Sequence, residues 1–140
     1  MVIARFLKTD DSGEVISLPQ IKGITLLPCE KSFGFSWNMS DKQRREAGAY
    51  YSGLLEKAWK LAAGCDLLIL DEIAGACAQG FVEEAHLLKL LEEKPPELEV
   101  ILTGRTSSES LMACADYITE MVMRRHPYEK GIPAREGIEY

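Results

Sequence analysis

The 140-residue sequence lacks any long apolar run. Its longest aliphatic stretch is Leu67-Leu68-Ile69-Leu70, far short of the roughly 18 residues that a membrane-spanning helix needs. Met1-Val2-Ile3-Ala4-Arg5 has no basic stretch followed by an apolar one, so no secretory leader is read and a cytoplasmic protein is expected. Positive charge is also scarce. Sixteen Lys and Arg stand against 22 Asp and Glu, a net charge of −6, which argues against nucleic acid as the main partner because no strong positive field is available. The cysteines Cys29, Cys65, Cys77 and Cys114 are widely spaced without a C-x-x-C pair. They are expected to be reduced, buried small hydrophobes rather than a zinc or disulfide framework. His126 has no second histidine or cysteine at ligand spacing and reads as a surface residue, and His86 reads as structural within a helix. No G-x-S-x-G nucleophile elbow appears. A phosphate loop of the form G-x-x-x-x-G-K-[ST] is missing too: Gly75 and Gly80 have the glycine spacing, but Phe81-Val82 stand where the lysine and hydroxyl residue belong.

What is present, 46% apolar and 27% charged residues, is the profile of one globular domain. Such a length can bury about 68–70% of the surface exposed by the unfolded chain. Apolar runs at Val2–Leu7, Ile24–Leu27, Asp66–Asp71 and Val100–Gly104 predict strands, and Tyr117–Met123 is a last strand candidate. The continuous runs at Asp66–Asp71 and Val100–Gly104 suggest strands buried on both faces of a parallel sheet. Ser40 and Gln43 form a capping box before Ala47, Tyr51, Leu54, Leu55, Ala58 and Ala62, which recur at helical spacing until Gly64. Phe81–Glu93 predicts a helix with Ala85, Leu88 and Leu91 on one stripe, stopped by Pro95-Pro96. Gly75–Gly80 reads as the turn into it, and a short helix is expected near Ser108–Ala113. Strands alternating with helices predict an α/β fold, a three-layer α/β/α sandwich around a mostly parallel sheet.

In such a sheet ligands bind at the carboxyl ends of the strands. Polar groups occur there as Asp71-Glu72, as Thr103-Gly104-Arg105, and as Glu120 in the last strand candidate. An apolar strand ending in Asp-Glu has the form of a Walker B element, whose carboxylate holds Mg²⁺ beside a nucleotide's phosphates; strands also end in acidic residues for solubility alone. Phe33-Gly34-Phe35-Ser36-Trp37 places aromatics in a glycine-punctuated loop, either as satellite core or as a surface for a large planar ligand. Arg124, Arg125, Lys130 and Arg135 could hold a small polyphosphate or simply form a solvated charged tail.

Taken in order, Gly34-Phe35-Ser36-Trp37, Asp66–Glu72, Val100–Arg105, Ala115–Met121 and the segment from His126-Pro127-Tyr128 to Gly137-Ile138-Glu139-Tyr140 resemble the P-loop type of ATP:corrinoid adenosyltransferase. The resemblance runs over essentially the whole chain and is most specific after Val100. It implies a single domain over residues 1–140, of the RecA-like P-loop type. It also implies a transferase that moves the 5′-deoxyadenosyl group of ATP to the cobalt of cob(I)alamin or a related corrinoid, releasing triphosphate, in adenosylcobalamin synthesis. By that resemblance Glu72, and less directly Asp71, would hold Mg²⁺ or Mn²⁺ on the phosphates, and Thr103 and Arg105 would lie by the nucleotide. Phe35 and Trp37 would face the lower side of the corrin, excluding its axial base. A homodimer and a reduced flavoprotein as electron donor are implied as well.

The family pattern opens with a strand and a phosphate loop ahead of the counterpart of Val2–Lys8. The expectation is therefore of a chain lacking that first strand and loop, in which ATP binds weakly or not at all. Two alternatives stand beside the enzyme: a non-catalytic corrinoid-binding or assembly module that has lost ATP chemistry, and a fragment of a generic RecA-like ATPase.

Overall fold

A computed structural model describes residues 1–8, 12–31, 33 and 38–138. Four strands, β1 (Val2–Arg5), β2 (Thr25–Leu26), β3 (Leu67–Asp71) and β4 (Glu99–Leu102), form one sheet in the order β2-β1-β3-β4. All three pairings are parallel. Among the described residues five α-helices accompany them: α1 (Gly13–Ser17), α2 (Asp41–Ala62), α3 (Ile73–Ala78), α4 (Glu84–Glu92) and α5 (Glu109–Ala113). The predicted α/β class with its parallel sheet is the observed one.

Helix α2 forms as its sequence dictates. The Ser40 hydroxyl accepts from the Gln43 N–H while the Gln43 side chain accepts from the Ser40 N–H, so two otherwise orphaned donors are satisfied at the helix start. Ala47, Tyr51, Leu54, Leu55, Ala58 and Ala62 are its buried residues, the predicted stripe. At the far end, Gly64 takes the positive φ of +80° that ends the helix without a Cβ penalty.

The sheet has one strongly covered face. Register aligns Val2, Leu68 and Val100 in one row across β1, β3 and β4, and Ala4, Leu70 and Leu102 in another. These residues pack in one core with α2, Ile73 and Ala76 of α3, Leu87 of α4 and Leu111 of α5. On the other face Arg5 meets Glu14 of α1, but cover thins toward β4, where Ile101 is 45% exposed. The two strands expected to be buried on both faces are thus buried chiefly on one. In β3 only Leu68 and Leu70 are fully buried, and β4 alternates between exposed and half-buried residues. β4 is in addition the last strand of the sheet, with a partner on one side among the described residues.

Other differences are local. The helix expected from Phe81 begins at Glu84, because Phe81 and Val82 drop into the core and end the preceding turn. Of the expected stripe, Leu88 and Leu91 pack against the core, Ala85 is exposed, and Leu87 is the fully buried residue of the helix. Helix α3 occupies much of the expected Gly75–Gly80 turn, leaving only the end, where Gly80 has a φ of +72°. Tyr117–Met123 forms no strand: it pairs with nothing among the described residues, and Tyr117 and Met121 are more than nine-tenths exposed. Apolar β propensity has no effect where no neighbouring strand offers a ladder and no face is covered. Of the cysteines, none of which is joined in a disulfide among the described residues, only Cys29 is buried; Cys65 and Cys77 are half-buried and Cys114 is exposed. No described helix is long and apolar enough to cross a membrane.

Candidate active site

The carboxyl ends of β1, β3 and β4 meet at one corner. Parallel register places Arg5 beside Asp71, the last residues of their strands. Beyond them, Leu7 (φ 57°) and Glu72 (φ 61°) are the two non-glycine residues with left-handed backbone among the described residues. Such a conformation breaks the strand direction and re-aims the side chains around it. After Glu72 the chain enters α3 directly, and the Ala74 N–H donates to the Thr103 carbonyl at 3.2 Å.

Thr103 is the joint of this corner. Its hydroxyl accepts from the Glu72 backbone N–H at 2.8 Å and donates to Asp71 Oδ1 at 2.7 Å. One side chain therefore fixes both predicted acidic residues. Gly104, the next residue, has a packing reason: a Cβ there would lie 2.7 Å from the Ala74 Cβ and 3.1 Å from the Gly75 nitrogen. Glycine lets the end of β4 approach α3 closely enough for the Ala74–Thr103 bond to form.

The two carboxylates are not equivalent. Asp71 Oδ2 is held by the Lys8 ammonium at 2.6 Å, so both of its oxygens have protein partners. The half-buried Glu72 carboxylate makes no hydrogen bond or ion pair among the described residues. Lys8 also lies 3.7 Å from Glu14 Oε1, and Arg5, 2% exposed, donates to the Ser12 hydroxyl at 2.6 Å and to Glu14 at 3.2 Å. Burial pushes the Glu14 carboxyl up, but its backbone hydrogen bond, the Ser12 hydroxyl, Arg5 and Lys8 outweigh that and hold it below its usual value. Acid and base thus alternate across the strand ends, from Arg5 through Glu14, Lys8 and Asp71 to Thr103.

The structure brings Asp71, Glu72 and Thr103 together as predicted and leaves Arg105 exposed just beyond. Phe35 and Trp37 lie outside the described residues. Their neighbour Phe33 packs against the Tyr50 and Tyr51 rings at 5.6 and 5.8 Å, as satellite core. Glu120 is exposed on the unpaired 117–123 segment, away from any strand end. His126 accepts from the Tyr128 N–H through Nδ1, and His86 pairs with Glu56 of α2. Sequence reasoning passed over Lys8 and Arg5. The signal was available, since Lys8 follows an apolar run just as Glu72 and Arg105 do.

A family model for the ATP:corrinoid adenosyltransferases BtuR/CobO/CobP matches residues 1–140, the whole chain. The chain belongs to the ATP:corrinoid adenosyltransferase family. Among curated proteins, a corrinoid adenosyltransferase of Sinorhizobium sp is 37% identical over 114 residues, covering 76% of this chain and 50% of that protein. The corrinoid adenosyltransferase of Pseudomonas aeruginosa is 34% identical over 113 residues, covering 76% and 53%. That of Escherichia coli K12 is 25% identical over 107 residues, covering 76% and 55%. The chain spans about half the length of these family members.

Among the described residues no group of three or more His, Cys, Asp or Glu could hold a metal ion. A divalent ion at this corner would meet Asp71 and Glu72 as carboxylate donors among the described residues. The unpartnered Glu72 carboxylate suits that role; Asp71 first has to part from Lys8.

Proposed function

We propose that this chain acts in transferring the 5′-deoxyadenosyl group of ATP to the cobalt of a reduced corrinoid. The match of residues 1–140 to the corrinoid adenosyltransferase family carries this reading, and the Asp71–Glu72–Thr103 corner supports it. In the reaction cob(I)alamin, or a related corrinoid, attacks the 5′ carbon of ATP with its cobalt lone pair. The carbon–oxygen bond breaks and triphosphate departs with that bond's electrons. Mg²⁺ or Mn²⁺ supplies charge neutralisation of the leaving triphosphate. Glu72 holds that ion, Thr103 fixes Glu72 and Asp71 in place, and Arg105 approaches the nucleotide. Phe35 and Trp37 exclude the axial base from the lower face of the corrin. A homodimer, a reduced flavoprotein as electron donor and a cytoplasmic location complete the proposal.

One observation favours a second reading. These 140 residues contain no G-x-x-x-x-G-K-[ST] stretch, the element whose backbone N–H groups and lysine cradle phosphates. A corrinoid-binding or assembly module without ATP chemistry fits that fact. A visible-absorbance titration with cob(II)alamin, followed by ATP, Mg²⁺ and a reductant, separates the two. Formation of adenosylcobalamin supports the enzyme, and corrinoid binding without adenosylation supports the module. Isothermal titration on the same chain is expected to show weak or no Mg·ATP binding.

A further inference from the structure

Lys8 is shared between two carboxylates that belong to different parts of the fold. Its ammonium lies 2.6 Å from Asp71 Oδ2 at the end of β3 and 3.7 Å from Glu14 Oε1 on α1. With Thr103 on the other Asp71 oxygen, the lysine is the positive charge that already balances this carboxylate and stands in the way of a second cation at Oδ2. Lys8 is 39% exposed, so its four-carbon stem can turn without opening the core. Glu14 is held differently. Arg5 and Ser12 fix its position from beneath, so a charged acceptor stays beside Lys8 when the lysine leaves Asp71.

A divalent cation arriving at Asp71 Oδ2 meets the Lys8 ammonium at contact distance, where the two positive charges repel. We propose that Lys8 is an exchangeable counter-ion of Asp71, occupying the carboxylate until a divalent cation arrives and then shifting fully onto Glu14. This rests on the proposed reading in which Glu72 holds a divalent ion at this corner, with Asp71 beside it. Lysine suits the task. It is a compact point charge on a flexible stem, whereas an arginine forked onto the same carboxylate would be slower to yield it. Lys8 is thus a positioning residue that decides when Asp71 is open.

Nucleotide-free Mn²⁺ binding, followed by the electron paramagnetic resonance signal of the free ion, tests the assignment on the full chain. Lys8→Met keeps the stem and removes the charge. It is expected to bind Mn²⁺ about two- to fivefold more tightly than the parent, the range that a partly exposed ion pair can withhold. Lys8→Arg is expected to return the affinity to the parent's value or below, and adding Asp71→Asn to Lys8→Met is expected to abolish the gain. Unchanged or weaker Mn²⁺ binding by Lys8→Met overturns the proposal. A purely structural Lys8 would give that weaker binding together with a lowered melting temperature. The measurement contains neither ATP nor corrinoid, so a failure to form adenosylcobalamin would sink the proposed reaction while Mn²⁺ binding still decides on Lys8.

Discussion

At the Asp71–Glu72 corner Thr103, Lys8 and Glu14 tie neighbouring elements together through polar contacts, whereas the segment from Tyr117 to Met123 carries its apolar side chains into solvent. Thr103 reaches two residues of the adjacent strand end at once. Tyr117, Ile118, Met121, Val122 and Met123 are all more than half exposed. The family resemblance is nevertheless most specific in the part of the chain that includes this second region. Motif specificity and contribution to the fold are therefore separate properties. Contacts stabilise a chain, whereas a run of exposed apolar residues marks surface whose use lies outside the packed core.

Replacing a residue in each region should give opposite results. Leu70→Ala, in β3 at 0% exposure, is expected to cost about 2–5 kcal/mol in urea denaturation, since it removes buried methyl groups and leaves a cavity. The next effect comes from alkali. Burial, with the Cys29 thiol and Tyr50 adding to it, pushes the Tyr51 hydroxyl up to about 12. An acid whose folded value is raised stabilises fully below its unfolded value near 10 and loses that contribution as pH rises through the folded one. Melting followed by tyrosinate absorbance should show stability falling between about pH 10 and 12, with Tyr51→Phe flattening the fall. Thr103→Val removes the hydroxyl that the Glu72 N–H donates to and is expected to cost about 1–3 kcal/mol, measured in the same urea titration. Smallest of all, Met121→Ala, at 94% exposure, should stay within about 0.5 kcal/mol of the parent. A loss of several kcal/mol there would erase the contrast between the two regions.

The parts legible in the sequence are those where a local rule and the tertiary environment agree. The Ser40–Gln43 capping box and the Ala47–Ala62 stripe are local, and α2 follows them. Asp66–Asp71 reads as a strand and Leu67–Asp71 is one, because β1 and β4 flank it. Tyr117–Met123 has the same apolar character and forms no strand, since pairing depends on a neighbour that composition cannot reveal. Helix α3 was hidden by Gly75: glycine suggested a turn, but Ile73, Ala74 and Ala76 are buried in the core, and packing overrides the glycine's weak propensity. At the site, the rule of examining the residues after each strand found Asp71, Glu72 and Thr103. The same rule reaches Lys8 after Val2–Leu7, but not its pairing with Asp71, which joins residues 63 positions apart through the β1–β3 register.

The left-handed backbone at Glu72 also carries an evolutionary consequence. For any residue bearing a Cβ this conformation costs about 1–2 kcal/mol, a cost that glycine escapes. Selection for thermal resilience alone would thus drive position 72 toward glycine and remove the carboxylate on the way. A library of variants sorted for heat tolerance and then for corrinoid chemistry would pull this one position in two directions, so the conflict itself would report that the strained acid is retained for its chemistry.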